Sequence, residues 1–599
     1  MSAKHIGRAH GSVWPACLVV MVALALAGLL PLGPSLLFLV ATGMAWAVAA
    51  VGLDAFSGYL GQPSFGHAAF IGAGAYGSTI LAGRLHWSLP VAMLGAVVAV
   101  AGLSALIGSV LLRLKEFGLV LGTFFLTFVS TSLLSGTLLA EWTGAASGLQ
   151  TPQLVLAGSI NLSDGVAYYY TCWAVLAIVA LMSAALVDAT PGRLLRLVKR
   201  SDAVARSLAV NPDRVRLATF VWSATLAAGA GCLISLGAGY ISPENFGVQA
   251  SIMLFAMVAV GGLGSIAGPV VGAVALTALP SQLQFAQTGQ QVLFASLLLI
   301  VFVAGRGGLY GAANSLIHQF GLGLRWTRLA SRRPALSGAE DIDIITGDAA
   351  APAGLDVEGV SLSYGGVHAL KGVTFSVEPG SVHALVGPNG AGKTSLLNCV
   401  SGLESPQSGS ISLNNRGGPE SDGRCTLHRT FQHQALVPDL TVLENVALGL
   451  YRDRGRLRRD RSGAKIVPAR ARAALIAVGV PPARHHLAGS ELSMAESKLV
   501  DLARGLVGSP AVLVLDEPTA GLSAEEMGTI SDVITHLNRR SGLTILVVSH
   551  HVGWIRTVTH RATVLVAGKV LADGTTEDVL ASEETRRAFL GEVPDGVAS

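Results

Sequence analysis

The chain has 599 residues, of which 13% are charged and 51% apolar, and its net charge at pH 7 is +4. Ordinary soluble domains carry about 25% charged residues, so this composition excludes a single soluble globule, and it also excludes a disordered or collagen-like chain. The small net charge gives no indication of a nucleic-acid partner. The five cysteines are scattered without metal-binding spacing, which favours free, buried thiols that remain reduced.

Charged residues are distributed unevenly along the chain. Lys, Arg, Asp and Glu account for 21 of the first 320 residues and for 57 of the remaining 279. This pattern predicts an α-helical membrane domain followed by a soluble domain. We place the membrane domain at 1–320, a linker without periodicity at 321–352, and the soluble domain at 353–595.

Apolar segments long enough to cross a bilayer recur through the membrane domain. They lie near residues 13–32, 35–53, 66–83, 88–112, 118–140, 167–187, 217–239, 251–282 and 291–305. The segment at 251–282 is too long for one untilted crossing and contains the sequence GGLG at 261–264. We therefore predict two short helices hinged there and about ten spans in all. Because Lys4 and Arg8 precede the first segment, we interpret it as a retained anchor.

Basic residues indicate how these spans are oriented. The densest basic cluster lies at 190–216, whereas the connection at 141–166 contains no Lys or Arg. Since cytoplasmic loops carry the excess of Lys and Arg, we place the connection at 190–216 inside the cell and the connection at 141–166 outside. An even number of later crossings then leaves the soluble domain on the cytoplasmic side of the cell membrane.

One stretch of the membrane domain, residues 57–67, is too polar and too rich in Gly and Pro for an ordinary span. Irregular backbone survives at membrane depth only where protein or a water-filled cavity satisfies it. The candidates for lining a translocation path are Asp54, Gln62, Ser64 and His67. The alternative is that these groups complete helix ends, or that Asp54 lies at a membrane interface.

The soluble domain contains a complete phosphate-binding motif. An apolar strand at 382–386 is followed by a match to GxxxxGK[ST] and then by a predicted helix. Backbone N–H groups of such a loop converge on phosphate oxygens, Lys393 reaches the β- and γ-phosphates, and Thr394 binds Mg²⁺. The predicted nucleotide-binding residues of this loop are Gly387, Pro388, Asn389, Gly390, Ala391, Gly392, Lys393, Thr394 and Ser395.

Two further apolar strands end in side chains suited to phosphoryl transfer. The strand at 511–515 leads into Asp516 and Glu517; we predict that Asp516 holds Mg²⁺ through water and that Glu517 polarises the attacking water. The strand at 544–548 leads to His550, which we predict to contact the γ-phosphate. A histidine alone would more often be a surface residue, but its place after the other motifs favours the catalytic role.

With these motifs, residues 353–595 resemble the ATPase domains of ABC transporters. The resemblance implies an α/β P-loop NTPase fold that binds ATP and Mg²⁺. It also implies that Tyr364 stacks on adenine, and that Gln432, in the segment TFQH, senses Mg²⁺ and the attacking water and couples the site to the permease. The alternatives are a core aromatic residue for Tyr364 and a surface polar residue for Gln432.

The segment that corresponds to the family's LSGGQ signature departs from it. Both glycines and the glutamine are replaced, since the chain has Ser493, Met494, Ala495 and Glu496 here, and Ser523 stands where the family usually has aspartate. In the family the signature glycines let the backbone approach the γ-phosphate held by the opposite ATPase. We therefore predict two unequal sites. The site with this chain's P-loop hydrolyses ATP if a partner supplies an intact signature, and the site that uses Ser493 is weak.

Residues 35–310 resemble the permeases of branched-chain amino acid importers of the LivM/LivH type. The resemblance rests on the segment GYLGQPSFGHAAFIGAGAY at 58–76, on residues 192–218, and on SPENFG and GGLGSIAGP within 241–269. In the soluble domain, the segments RTFQ, LTVLEN and AFLGE resemble the LivG type. Together they imply an ATP-driven importer of branched-chain amino acids in which a permease and an ATPase are fused.

The same resemblance implies partners: a second permease and a second ABC ATPase in the lipid bilayer, and an external substrate-binding protein. It also predicts the coupling helix in the loop at 190–216, near Gln432. Importers of urea, short amides or aromatic acids share this architecture and remain an alternative. A rival from another class is an ATPase-impaired nucleotide-binding regulator, which the altered signature favours and the intact Lys393 and Glu517 oppose. An exporter is disfavoured, because the permease segments resemble importers.

Overall fold

The computed structural model describes residues 14–31, 33–114, 116–153, 155–156, 160–161, 165–282, 353–415, 427–431, 436–451 and 463–589. These residues form two units, one helical and one α/β, and each is described by itself. Several predicted features lie outside the described residues: Lys4 and Arg8 before the first apolar segment, the apolar segment at 291–305, the linker at 321–352, and Gln432.

Between residues 14 and 282 the chain is almost entirely helical. The helices are α1 (Trp14–Ala27), α2 (Pro34–Asp54), α3 (His67–Gly83), α4 (Leu89–Leu111), α5 (Glu116–Ser135), α6 (Ala140–Thr143), α7 (Gly165–Asp188), α8 (Thr190–Arg200), α9 (Asp202–Ser207), α10 (Pro212–Ala238), α11 (Val248–Gly261) and α12 (Ala267–Gln282). The short strand β1 (Leu149–Gln150) pairs antiparallel with β4 (Tyr240–Ile241), and β2 (Val155–Leu156) with β3 (Ile160–Asn161).

Many of these helices are apolar, as the hydropathy of the sequence predicts. Within the described residues, five helices are long and apolar enough to cross a membrane, and α1, α11 and α12 are shorter apolar helices. The helical membrane domain is thus confirmed. The count of about ten crossings stays a prediction.

The predicted break near residue 261 is present between α11 and α12. Gly262 and Gly264 have φ angles of 120° and 79°, which L side chains rarely adopt. A Cβ on Gly261 would lie 2.1 Å from the carbonyl oxygen of Gly268, and one on Gly272 would lie 2.0 Å from that of Met257. Glycine therefore permits both the turn and the close packing of the two short helices.

Small residues also bring α3 and α10 into close contact. A Cβ on Gly74 would lie 2.2 Å from the carbonyl oxygen of Ala228, and one on Gly231 would lie 2.0 Å from that of Ile71. Because lipid provides no hydrophobic drive for helix association, van der Waals contact between closely approaching backbones is a main source of stability here.

We predict that Gly231→Ala destabilises the membrane domain by about 1–3 kcal/mol, the usual range for overpacking. The added methyl group would collide with the backbone of α3, which cannot rotate away as a side chain can. Gly229 provides a matched control on the same helix, because no atom of the described neighbouring residues lies within 4 Å of its Cβ position. Thermal unfolding of the detergent-solubilised chain, followed by tryptophan fluorescence, should give a lower melting temperature for Gly231→Ala only. Equal melting temperatures for the two variants would contradict the close crossing.

The α/β unit begins at residue 353. Its strands are β5 (Ala353–Tyr364), β6 (Val367–Val377), β7 (Val382–Val386), β8 (Ser408–Asn415), β9 (Leu427–Arg429), β10 (Val512–Asp516), β11 (Thr544–Val548), β12 (Arg561–Val566) and β13 (Lys569–Thr575). Its helices are α13 (Lys393–Val400), α14 (Val442–Ala447), α15 (Gly463–Ala477), α16 (Met494–Leu506), α17 (Ala524–Ser541), α18 (Val552–Val558), α19 (Thr576–Ala581) and α20 (Glu583–Phe589).

Two sheets organise the α/β unit. The larger has the strand order β13-β12-β7-β11-β10-β9 and is parallel except for the pair β12–β13, whereas β6-β5-β8 form a smaller antiparallel sheet. The central strands β7, β10 and β11 are buried along their whole length, and alternate residues enter two separate apolar clusters. A parallel strand covered on both faces explains why these segments are continuously apolar in the sequence.

The register of the larger sheet positions the site. Val548 of β11 is aligned with Leu385 of β7 on one side and with Asp516 of β10 on the other. The phosphate-binding loop and the residues that follow β10 and β11 therefore leave the sheet at one edge. Ligands of open α/β sheets bind at the carboxyl ends of the strands, so this edge is the expected site.

Candidate nucleotide-binding site

Glycine is required by the geometry of the loop between β7 and α13. Gly392 has a φ of 100°, and a Cβ there would lie 2.5 Å from the carbonyl oxygen of Ala369. A Cβ on Gly387 would lie 2.1 Å from the carbonyl oxygen of Leu565. The loop then passes into α13 at Lys393, so its backbone N–H groups lie at a helix N-terminus, where anions bind.

Lys393 lies within this loop. Its Nζ donates hydrogen bonds to the carbonyl oxygens of Gly387 (2.7 Å) and Pro388 (2.9 Å). Burial lowers the pKa of Lys393, and the nearby carboxylates of Glu517 and Asp516 oppose that shift. The site thus brings Lys393 together with two acidic groups at the edge of the sheet, an arrangement suited to a phosphate with a metal ion.

Glu517 and His550 are brought together from the ends of β10 and β11. The Nδ1 of His550 lies 2.9 Å from Oε1 of Glu517, while Oε2 of Glu517 is buried and has no hydrogen-bond partner among the described residues. The backbone of Glu517 has a φ of 49° and its N–H donates to the carbonyl of Val548 (2.8 Å). Strained backbone and an unsatisfied buried carboxylate oxygen are costly, and such features concentrate at functional sites. A water held at Oε2 would satisfy it, as hydrolysis requires.

Arg429 is a site residue to which the sequence analysis assigned no role. It ends β9 and is only 3% exposed, with Nη2 2.8 Å from Oδ2 of Asp516 and Nη1 2.7 Å from Oδ1 of Asn398. Its guanidinium also lies over the ring of Phe431, 5.0 Å from the centroid. The signal that points to it is the position of an arginine directly before the TFQ segment, at the end of a strand of the sheet.

Lys498 of α16 is a second residue that sequence reasoning missed. Its Nζ donates a hydrogen bond to the carbonyl oxygen of Glu517 (3.2 Å). Burial lowers the pKa of Lys498, while Asp501, Asp516 and Glu517 favour its charged form. The helix that begins at the signature segment is thereby tied to the segment that carries the acidic pair.

Tyr364 lies at the end of β5 with 46% of its surface exposed, so it is not a core residue. Its hydroxyl donates a hydrogen bond to Oε2 of Glu404. The other carboxylate oxygen of Glu404, Oε1, accepts a hydrogen bond from Nδ2 of Asn398 (3.2 Å). An exposed ring fixed at its hydroxyl end leaves a face available for a planar ligand. The stacking role of Tyr364 stays a prediction.

The altered signature segment forms a helix cap. The Oγ of Ser493 accepts a hydrogen bond from the N–H of Glu496 (3.2 Å), and Oε2 of Glu496 accepts one from the N–H of Ser493 (2.9 Å). This reciprocal pair is a capping box, and it begins α16. The other oxygen of Glu496 lies 3.1 Å from Nε of Arg484. Two polar groups that could face a nucleotide are thus engaged within the chain.

The same device occurs at Ser523, at the position where the family usually has aspartate. Its Oγ accepts from the N–H of Glu526 (3.3 Å) and its N–H donates to Oε2 of Glu526 (2.9 Å), so it caps α17. Both departures from the family pattern therefore have a local structural role at helix N-termini.

The polar stretch of the membrane domain is irregular, as predicted. A π-helical turn at Ala55–Tyr59 follows α2, and regular helix resumes at His67. Nδ1 and Nε2 of His67 lie 3.1 Å from Oγ of Ser64 and 2.5 Å from Oγ of Ser223. The three side chains are buried, and they connect α3 to α10.

Asp54 does not join this cluster. Its Oδ1 accepts a hydrogen bond from the N–H of Gly264 (2.7 Å), in the break between α11 and α12. Gln62 is half-buried, and its backbone N–H donates to the carbonyl of Phe56 (3.1 Å). The structure thus brings Ser64 and His67 together and directs Asp54 to the hinge. A translocation path lined by these four residues stays a prediction.

A phosphate loop, an acidic pair and a histidine at one edge of a parallel sheet, following a helical membrane domain, define an ATPase-driven membrane transporter. The family model described as "Branched-chain amino acid transport system / permease component" matches residues 35–304, and the model described as "ABC transporter" matches residues 370–520. The chain belongs to the ABC transporter family, as a permease fused to an ATPase that hydrolyses ATP to drive transport. It is a multi-pass membrane protein whose ATPase domain is cytoplasmic, which confirms the predicted localisation.

Relatives of the ATPase half include proteins of amino acid transport. The high-affinity branched-chain amino acid transport ATP-binding protein LivG of Salmonella typhimurium is 32% identical over 250 residues, covering 40% of this chain and 98% of the relative. BraF of Pseudomonas aeruginosa, named for the same transport, is 30% identical over 257 residues, with 40% and 98% covered. The glutamine transport ATP-binding protein GlnQ of Bacillus subtilis is 33% identical over 243 residues, with 39% and 97% covered.

Proposed function

We propose that this chain is the permease–ATPase subunit of an importer of branched-chain amino acids. The observation that carries the proposal is the match of residues 35–304 to the permease component of that transport system, because the permease contacts the substrate. The ATPase half does not decide the substrate, since it is as similar to a glutamine-transport relative as to a branched-chain one. Urea, short amides and aromatic acids are the competing substrates.

The geometry of the described residues and the positions of the motifs support the following roles for the site residues. The loop from Gly387 to Ser395 and Lys393 hold the phosphates of ATP, and Tyr364 stacks on the adenine. Glu517 holds the attacking water at its unpartnered oxygen, and His550 orients Glu517 and faces the γ-phosphate. Thr394, Gln432 and, through water, Asp516 would hold Mg²⁺, which would neutralise phosphate charge.

A complete transporter requires partners of this chain. We propose a second permease, a second ABC ATPase and an external substrate-binding protein, as in the LivG-type systems that the ATPase half resembles. Glu496 carries a negative charge at the signature segment, and the side chains of Met494 and Ala495 stand where the family has glycine. We therefore propose that the two ATP sites hydrolyse ATP at different rates. The more active site is formed by this chain's P-loop and the partner's signature segment.

The test is uptake by the reconstituted complex. The chain is purified with its associated subunits, placed in liposomes, and offered labelled leucine, glutamine, urea, a short amide or an aromatic acid with its binding protein. We expect ATP-dependent uptake of leucine that is lost in the Lys393→Ala variant. Uptake of another substrate alone would select an alternative importer. ATP binding without uptake of any of them would support the nucleotide-binding regulator.

A further inference from the structure

Arg429 links three functional segments of the ATPase domain. From the end of β9 it reaches Asp516 at the end of β10 and Asn398 on α13, the helix that follows the phosphate loop. It also covers the ring of Phe431, which leads toward Gln432. The next residue, Thr430, accepts a hydrogen bond from the N–H of Asp516 (3.3 Å) through its Oγ1. The carboxylate and the backbone of Asp516 are therefore held by the last residue of β9 and by the residue that follows it.

This contact uses one oxygen of the carboxylate that is proposed to hold Mg²⁺. The pair joins Nη2 to Oδ2, and both side chains are buried. A charge-assisted hydrogen bond from a buried guanidinium restricts the rotation of a carboxylate, and so determines how its other oxygen is presented. Partners of metal-binding groups act in this way in many sites, and replacing them typically costs about 10- to 100-fold in metal affinity.

We propose that Arg429 is a positioning residue that orients Asp516 and thereby sets the Mg²⁺ affinity of this chain's ATP site. The inference rests on the proposed role of Asp516. Two effects of the guanidinium oppose each other: its positive charge repels a cation, whereas its hydrogen bond pre-organises the ligand. We commit to the second effect, because Arg429 is itself fixed from a second side by Asn398 and therefore holds the carboxylate in one orientation.

The test compares Arg429→Gln with Arg429→Lys in the full-length chain, purified with its partners in nanodiscs. Lysine keeps the positive charge, but it lacks the two guanidinium nitrogens that bond Asp516 and Asn398 at the same time. We expect the Mg²⁺ concentration for half-maximal ATP hydrolysis to rise by about tenfold in Arg429→Gln and by less in Arg429→Lys. The affinity for a fluorescent ATP analogue in EDTA should be unchanged in both variants. Mg²⁺ should increase this affinity, and the Mg²⁺ concentration needed for half of that increase should rise by the same factors as in the hydrolysis assay.

Arg561→Gln is the matched control, because Arg561 also pairs with an aspartate, Asp573, but at the start of β12 away from the phosphate loop. It should leave both Mg²⁺ curves unchanged. A lower Mg²⁺ requirement in Arg429→Gln, or weaker binding in EDTA with no shift in the Mg²⁺ curves, would overturn the proposal. If Arg429→Gln fails to fold, Arg429→Lys alone decides between these outcomes.

Asp516→Asn separates this inference from the proposed function. If Asp516→Asn raises the Mg²⁺ requirement but the Arg429 variants do not, the positioning role fails and the metal assignment survives. If Asp516→Asn leaves the Mg²⁺ requirement unchanged, the proposed metal role of Asp516 itself is wrong.

Discussion

Replacing Glu517 with glutamine is expected to lower ATP hydrolysis at this chain's site by about 10²–10⁴-fold, the usual contribution of a general base. The amide keeps the size of the side chain and can still bond His550, so ATP binding should persist. It cannot accept a proton from water, so bound ATP accumulates instead of being cleaved. In the proposed transporter, hydrolysis would reopen the pair of ATPases, so uptake should stop while the amount of protein in the membrane is unchanged. Retained nucleotide is measured after filtration, and uptake in liposomes.

Glu358 offers a matched control for this change. It is exposed on β5, so Glu358→Gln makes the same chemical change without reaching the site. That variant should hydrolyse ATP and transport normally. If Glu517→Gln retained uptake, the role assigned to Glu517 would be wrong. If it lost ATP binding as well, Glu517 would be needed for the fold of the site rather than for the reaction.

Restoring the family signature is expected to activate the weak site. In the Glu517→Gln background, the hydrolysis that remains comes from the site that uses residues 493–496, and we expect it to be close to zero. Adding Met494→Gly, Ala495→Gly and Glu496→Gln should raise it at least about tenfold, because losing one backbone donor to developing charge can cost about 10²–10³-fold in kcat. Glutamine can replace glutamate in a capping box, so α16 should still begin at the same residue.

Asp578 provides the control for the charge change in this experiment. Its carboxylate accepts a hydrogen bond from Oγ1 of Thr575, the residue that caps α19, so Asp578→Asn converts a carboxylate at another helix start to an amide. That variant should leave the residual hydrolysis unchanged. Near-equal turnover at the two sites before the signature is restored would contradict the predicted asymmetry. If the site that uses residues 493–496 were fully active, the altered signature would no longer favour a nucleotide-binding regulator.

Much of the candidate site follows from contiguous motifs. Lys393 and its neighbouring glycines are read from one loop, and the acidic pair is read from the end of an apolar strand. The role of Arg429 is not readable from one motif, because Asp516 lies 87 positions away and only the order β10–β9 makes the two strands neighbours. The cap at Ser493 was readable in principle, since S-x-x-E is a helix-start pattern.

By itself, the sequence determined the division into a membrane domain and a P-loop ATPase, and the break in the helix near residue 261. These features depend on hydropathy and on backbone freedom, which are properties of neighbouring residues. Only the tertiary structure decided which polar groups satisfy one another: Asp54 with Gly264, His67 with Ser223, and Arg429 with Asp516. Such pairs depend on the register of strands and the crossing of helices, because a buried charge or dipole must find its partner in space, however distant that partner is along the chain.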